Sequence, residues 1–128
     1  MKPSTLEWIE KAEEDFAAAS TAIRARKHPL FNTACFHAQQ CAEKYLKAKL
    51  HDSGQTVDKT HNLLDLLKQA LRVEPTWNSL RPDLAILNWF AVDYRYPGLT
   101  ATKLQAQDAV KRCRVIRRII RQSFGLPV

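Results

Sequence analysis

The fold is decided by residues 32–50, NTACFHAQQCAEKYLKAKL. With 100° between successive residues of a helix, seven small or apolar side chains of this stretch share one broad face. These are Ala34, Cys35, Ala38, Cys41, Ala42, Tyr45 and Leu46. Small side chains on a buried face let a neighbouring helix approach closely. The spacing therefore predicts a central helix over about residues 32–50, which Gly54 ends, with Phe36, Gln40, Glu43 and Lys47 along another side.

Apolar residues recur at helical spacing through most of the remaining chain, and no stretch alternates as a strand does. A first helix is expected to begin at Ser4, with Glu7 completing a capping box, and to end at His28-Pro29. A short third helix is predicted over about residues 61–72 and a fourth over about 78–93, with Pro82 in its first turn. A fifth is predicted to start at Thr102, capped with Gln105, and to run to about Ser123. The fold class predicted is all-α: an up-and-down four-helix bundle with an additional short helix, five in all.

The expected core faces follow from the same spacing. The lists are Trp8, Ala12, Phe16, Ala19 and Ile23 in the first helix; Trp77, Leu80, Leu84, Leu87 and Phe90 or Ala91 in the fourth; and Ala106, Ala109, Val110, Cys113, Ile116 and Ile120 in the fifth. In the fifth helix Leu104, Val115 and Ile119 form a second apolar strip, which predicts a homodimer or other homo-oligomer through this helix or its neighbours. The acidic run Glu13-Glu14-Asp15 is explained as compensation of the first helix dipole.

Length and composition restrict the class of protein. The 128 residues fit a single domain over 1–128, and no apolar run approaches the ~20 residues of a membrane span. The N-terminal residues lack the apolar stretch of a signal peptide, so a cytoplasmic protein is expected. The three cysteines, Cys35, Cys41 and Cys113, lack CxxC spacing and are predicted to be free buried thiols. The histidines show no metal-ligand pattern, so neither a metal nor a required cofactor is expected.

The net charge of +7 lies mostly in the segment from Lys103 onward. Arg114, Arg117, Arg118 and Arg121 crowd one arc of the predicted fifth helix. A basic face of this kind attracts phosphates, RNA or an acidic partner, whereas the alternative is a simple solvated helix surface.

Two polar clusters stand at predicted helix ends, Lys59-Thr60-His61-Asn62 and Tyr94-Arg95-Tyr96-Pro97. In the first, Lys59 and the first N–H groups of the third helix are expected to hold an anion while His61 hydrogen-bonds it. The alternative is that His61 only caps the helix or packs at its start. In the second, Arg95 suits a bidentate pair with phosphate, with a tyrosine flanking it, or else pairs internally with Glu43.

These residues resemble the HEPN family, small helical domains proposed to bind nucleotides. The resemblance rests on FHAQQCAEKYLKA at 36–48, KTHNL at 59–63 and YRYP at 94–97, in this order. It implies a helical bundle that dimerises and that acts with a separately encoded minimal nucleotidyltransferase, often as a toxin and antitoxin pair. Its ribonuclease branch carries an arginine followed by a histidine with four to six residues between them, and this chain has no such pair.

Three functions remain open. The first is a module that binds a nucleotide, RNA or the partner protein, the second a metal-independent endoribonuclease with a non-standard site, and the third a structural dimer without a ligand. No residue is assigned as catalytic, and His61 and Arg95 are the candidates. The predicted ligand-binding residues are Lys59, His61, Arg95, Tyr96, Gln40, Lys44 and Lys47.

Overall fold

Five α-helices form the protein in the computed structural model, which describes residues 1–91 and 97–128. They are α1 (Pro3–Arg24), α2 (Phe31–Asp52), α3 (Leu63–Ala70), α4 (Arg81–Asn88) and α5 (Lys103–Ser123). A 3₁₀ helix, Pro75–Leu80, leads directly into α4. The two described ranges contain no strand, and the predicted all-α class with five helices is confirmed.

The central element is α2, which packs against each of the other four helices. The small residues of its predicted inner face, including Ala34, Ala38, Cys41 and Ala42, have no exposed surface. Their size lets α1 pack closely along α2, in the most extensive contact between any two helices. The α5 helix packs beside them, and its predicted core arc from Ala106 to Ile120 is buried throughout.

The N-terminus of α1 differs from the prediction. The helix begins at Pro3, and Ser4 and Glu7 form no capping box. The Ser4 hydroxyl contacts His51 Nε2 instead, and the backbone N–H of Lys2 and the hydroxyl of Thr5 each donate to Asp52 Oδ1 at 3.1 Å. The N–H of Lys2 is the main cause that lowers the pKa of Asp52. Tertiary contacts with the end of α2 thus replace the predicted local cap.

Several other helix ends also differ from the prediction. The α1 helix stops at Arg24, before the predicted His28-Pro29, whereas α2 extends by one or two residues at each end. The α3 helix is shorter than predicted at both ends. The predicted fourth helix begins as the 3₁₀ helix, and α4 ends at Asn88, before the predicted end at residue 93. In α5 the predicted capping box is confirmed: Gln105 N donates to Thr102 Oγ1 at 3.1 Å, and Thr102 N donates to Gln105 Oε1 at 2.9 Å.

Most predicted core faces are confirmed, with two corrections. In α1 the fully packed positions include Ile9, which the predicted stripe omitted, while Trp8, Phe16 and Ile23 are only partly buried. In the second apolar strip of α5, Val115 and Ile119 pack partly against the same core, and only Leu104 is largely exposed, at 76%. The strip is therefore narrower than the spacing predicted.

The three cysteines are free and buried, as predicted. Burial raises the pKa of Cys35 to about 12, and it also raises that of Cys41, which lies beside Cys113. The raised pKa values keep the thiols of Cys35 and Cys41 protonated, and buried thiols act as small apolar side chains. Among the described residues no helix has the length and the apolar composition that crossing a membrane requires.

Candidate functional site

A group of polar side chains lies on α2 beside the loop that precedes α3. We name this group, Gln39, Gln40, Glu43, Lys47 and His61, the α2 polar cluster. Its α2 residues 39, 43 and 47 follow each other at i, i+4 spacing and therefore project from one side of the helix. Buried polar groups are costly unless they are paired, so the contacts within the cluster determine what it can do.

Glu43 is the centre of the cluster. It is only 3% exposed, and its carboxylate accepts hydrogen bonds from Lys47 Nζ at 3.2 Å and Gln39 Nε2 at 3.3 Å. His61 Nδ1 lies 3.0 and 3.1 Å from its two oxygens. Lys47, itself only 6% exposed, supplies the charge that balances the buried carboxylate.

The contact with Glu43 orients the His61 ring. A carboxylate accepts hydrogen bonds, so Nδ1 carries the proton in this pair, and Nε2 is the ring atom left for another contact. Nε2 has no hydrogen-bond partner within the described part of the chain, and the side chain is 62% exposed. Gln39, which is fully buried, also donates to the backbone carbonyl of His61 at 3.1 Å and accepts from Gln40 at 2.7 Å. Both the backbone and the ring of His61 are thus held by α2.

The start of α3 corrects the predicted anion site. Asn62, not His61, caps the helix, and its side chain accepts from the N–H groups of Leu64 and Asp65. The N–H of Leu63 donates to Asn88 Oδ1 at 2.9 Å, and that of Asn62 donates to Thr60 Oγ1 at 3.0 Å. These donors are already used, so the prediction that they hold an anion is wrong, and so is the alternative that His61 is the cap.

Nearly the whole chain matches a known domain family. The HEPN domain model matches residues 5–123. The chain belongs to the HEPN domain family. It is also similar to a protein of known structure, TT1696 from Thermus thermophilus, with a TM-score of 0.81 and 24% identity over 94% of this chain and 98% of that one. At this identity the likeness shows the fold alone. No curated protein gives a significant match.

The remaining predicted ligand residues of the HEPN domain separate into three places. Gln40 and Lys47 belong to the α2 polar cluster with His61, and Lys59 is exposed two residues before that histidine. Lys44 lies elsewhere, with its ammonium 2.5 Å from Asp15 Oδ2. Arg95 and Tyr96 lie outside the described residues. The alternative prediction, a pair of Arg95 with Glu43, lies outside them too.

The contacts of Asp15 are among those that the sequence did not reveal. Besides Lys44 it pairs with His37, whose Nδ1 lies 2.7 Å from Oδ1. This buried carboxylate therefore joins α1 to α2, and its assignment to the helix dipole is wrong. The sequence did contain one sign of this contact: Asp15 is an acidic residue on the same face of α1 as Ala12 and Ala19.

The basic arc of α5 is not one solvated face. Arg117 Nε and Nη2 each donate to Glu13 at 2.7 Å, and its guanidinium lies 4.8 Å from the centroid of the Phe16 ring. Arg121 donates to the Tyr45 hydroxyl at 3.1 Å, and that hydroxyl donates to Glu13 at 2.6 Å. Burial opposes ionisation of Glu13, but these hydrogen bonds and the two guanidinium charges outweigh it and lower its pKa.

The other predicted basic residues have a different setting. Arg114 and Arg118 are exposed and form no ion pair within residues 1–91 and 97–128. They are the members of the predicted basic face that remain available to an anionic partner. Within those same ranges, no group of three or more His, Cys, Asp or Glu side chains is arranged to hold a metal ion.

Proposed function

We propose that this HEPN domain binds a nucleotide through its phosphate group at the α2 polar cluster. The observation that carries the proposal is the His61 ring, fixed through Nδ1 by a buried carboxylate and largely exposed on the side of Nε2. An imidazole that served only to pack the bundle would need neither a hydrogen bond that fixes its orientation nor an exposed Nε2. When protonated, Nε2 donates a hydrogen bond to a phosphate oxygen.

One exposed cation, Lys59, lies close to His61 in the chain and can attract an anion. Lys47 neutralises Glu43, so the cluster does not repel a phosphate, and Lys59 adds an exposed ammonium nearby in the chain. A phosphate that approaches the ring also favours its protonated form, because opposite charges stabilise each other at short range. Neither contact needs the N–H groups of α3, which are already occupied.

Calorimetric titration with ribose 5-phosphate tests this proposal. His61→Ala is expected to lower the affinity about tenfold, since a hydrogen bond to a charged group contributes about 1.5–3 kcal/mol and this one is partly exposed. The affinity of the unchanged protein is expected to fall between about 50 and 200 mM salt, roughly in proportion to the phosphate contacts made. The matched control is His28→Ala, an exposed histidine between α1 and α2. Equal affinities in both variants would contradict the proposed site.

The assembly in which the domain acts is part of the proposal. The family resemblance supports a cytoplasmic homodimer that works with a minimal nucleotidyltransferase in a toxin and antitoxin pair. The exposed Leu104 of α5 supports a contact between copies, as do the exposed Ile86 of α4 and Trp89 just after it. Leu104→Glu is expected to shift the mass measured by light scattering towards the monomer. If Leu104→Glu remains a dimer, Leu104 does not form the contact between copies. If the unchanged protein is a monomer, the proposed homodimer is contradicted.

A metal-independent ribonuclease is the second candidate function. The pair of Glu43 and His61 supports it, because a carboxylate that orients an imidazole is a common arrangement for a general base. The sequence contains no arginine that precedes a histidine with four to six residues between them, and this argues against it. Incubating the purified protein with RNA and a metal chelator separates the two: cleavage that His61→Ala abolishes would favour the enzyme, and intact RNA would favour the binding module. Failure to bind any nucleotide would leave a structural dimer.

A further inference from the structure

Trp8 on α1 connects a surface recess to the α2 polar cluster. Lys47 Nζ lies 5.9 Å from the centroid of the indole ring, and the same ammonium donates to Glu43 at 3.2 Å. Because Glu43 holds His61, only two side chains separate the indole from the proposed phosphate contact. The sequence placed Trp8 in the core stripe, but the structure leaves it partly exposed.

The recess beside Trp8 has the size of a site for one planar ring. Its volume is about 230 Å³, and Ser4, Glu7, Trp8 and Lys11 line it. Sites for whole drug-sized ligands usually occupy about 300–1,000 Å³, so this one suits only part of such a molecule. The Ser4 hydroxyl is already in contact with His51, whereas Glu7 and Lys11 are exposed and form no ion pair in the described ranges.

We infer that Trp8 is the stacking platform for the base of the nucleotide whose phosphate His61 contacts. This inference rests on the proposed function. A nucleobase has a flat π-face for the indole and a polar edge that can form hydrogen bonds with the carboxylate of Glu7 and the ammonium of Lys11. The indole centroid, Lys47 Nζ, Glu43 Oε2 and His61 Nδ1 follow one another at separations of 5.9, 3.2 and 3.1 Å. The indole and the imidazole are therefore no farther apart than these three steps together, a distance that one extended nucleotide can span.

Comparing AMP with ribose 5-phosphate isolates the contribution of the base. Both probes carry the phosphate, and only AMP carries a ring that can stack. We expect the unchanged protein to bind AMP about tenfold or more tightly than ribose 5-phosphate, as measured by calorimetry. Trp8→Leu is expected to remove this difference while leaving the affinity for ribose 5-phosphate unchanged. Trp8→Phe keeps an aromatic ring and is expected to keep most of the difference.

The matched control is Phe31→Leu, because Phe31 is, like Trp8, a partly buried aromatic residue, and it lies outside the recess. Thermal unfolding of each variant shows whether it is folded, and Trp8→Phe serves if Trp8→Leu is not. A preference for AMP that survives Trp8→Leu would overturn the inference, as would equal binding of both probes to the unchanged protein. In those two cases phosphate binding stands, whereas a protein that binds neither probe overturns the proposed function as well.

Discussion

Glu43→Gln removes a charge from the α2 polar cluster and leaves the shape of the side chain almost unchanged. Glu43 is 3% exposed and Lys47 is 6% exposed, so the variant leaves the ammonium of Lys47 buried beside a neutral amide. Breaking a buried ion pair by removing one partner costs about 3–5 kcal/mol. Lys47 can relieve part of this cost by moving its ammonium towards solvent along its flexible stem. We therefore expect the free energy of unfolding to fall by about 3 kcal/mol.

Urea unfolding followed by circular dichroism measures this loss, which is a large part of the roughly 5–15 kcal/mol that stabilises most domains. Adding Lys47→Met to Glu43→Gln removes the unpaired charge as well and is expected to recover at least about 1 kcal/mol. A loss below about 0.5 kcal/mol for Glu43→Gln would refute the reasoning. A double variant less stable than either single variant would refute it too, because the cost would then not come from the unpaired ammonium.

Two further variants test other contacts by the same assay. Glu13→Gln is expected to lose about 1–2 kcal/mol at pH 7, because the half-buried carboxylate accepts from Arg117 and Tyr45. Since the pKa of Glu13 is lowered in the folded protein, its contribution is complete above the ordinary value of 4.5 and disappears as the pH falls through the lower folded value. The two proteins should therefore converge in acid, and a difference that stays constant would contradict this assignment. Asn62→Ala removes the α3 cap and is expected to lower the free energy of unfolding by about 1 kcal/mol. Asn78 caps no α-helix, so Asn78→Ala is expected to lower it by less.

Much of the fold could be predicted from the sequence, because helical spacing determines which face of each helix is apolar. The small residues of α2, the core arc of α5 and the capping box at Thr102 all depend on residues close in the chain. The errors occur where distant residues compete with a local rule. Ser4 has the right spacing for a cap with Glu7, but its hydroxyl contacts His51, and Lys2 and Thr5 bind Asp52.

The candidate site was only partly predictable for the same reason. The motif around His61 indicated a functional histidine, but helical spacing cannot show that Glu43, 18 residues earlier, holds its ring. Helical spacing placed Glu43 and Lys47 on one side of α2 and predicted Lys47 as a ligand-binding residue, but it could not show that Gln39 and Lys47 both donate to Glu43. Likewise, charge alone could not distinguish Arg117, which is paired with Glu13, from the exposed Arg114 and Arg118.

The most direct test of the central claim is a long-range ¹H–¹⁵N spectrum of the imidazole rings, recorded while AMP is added. We expect His61 to show a protonated Nδ1 before AMP is added, because Glu43 accepts from that atom. Addition of AMP should then shift the Nε2 signal of His61 and leave that of the exposed His28 unchanged. An Nε2 signal of His61 that does not move up to millimolar AMP would contradict the account.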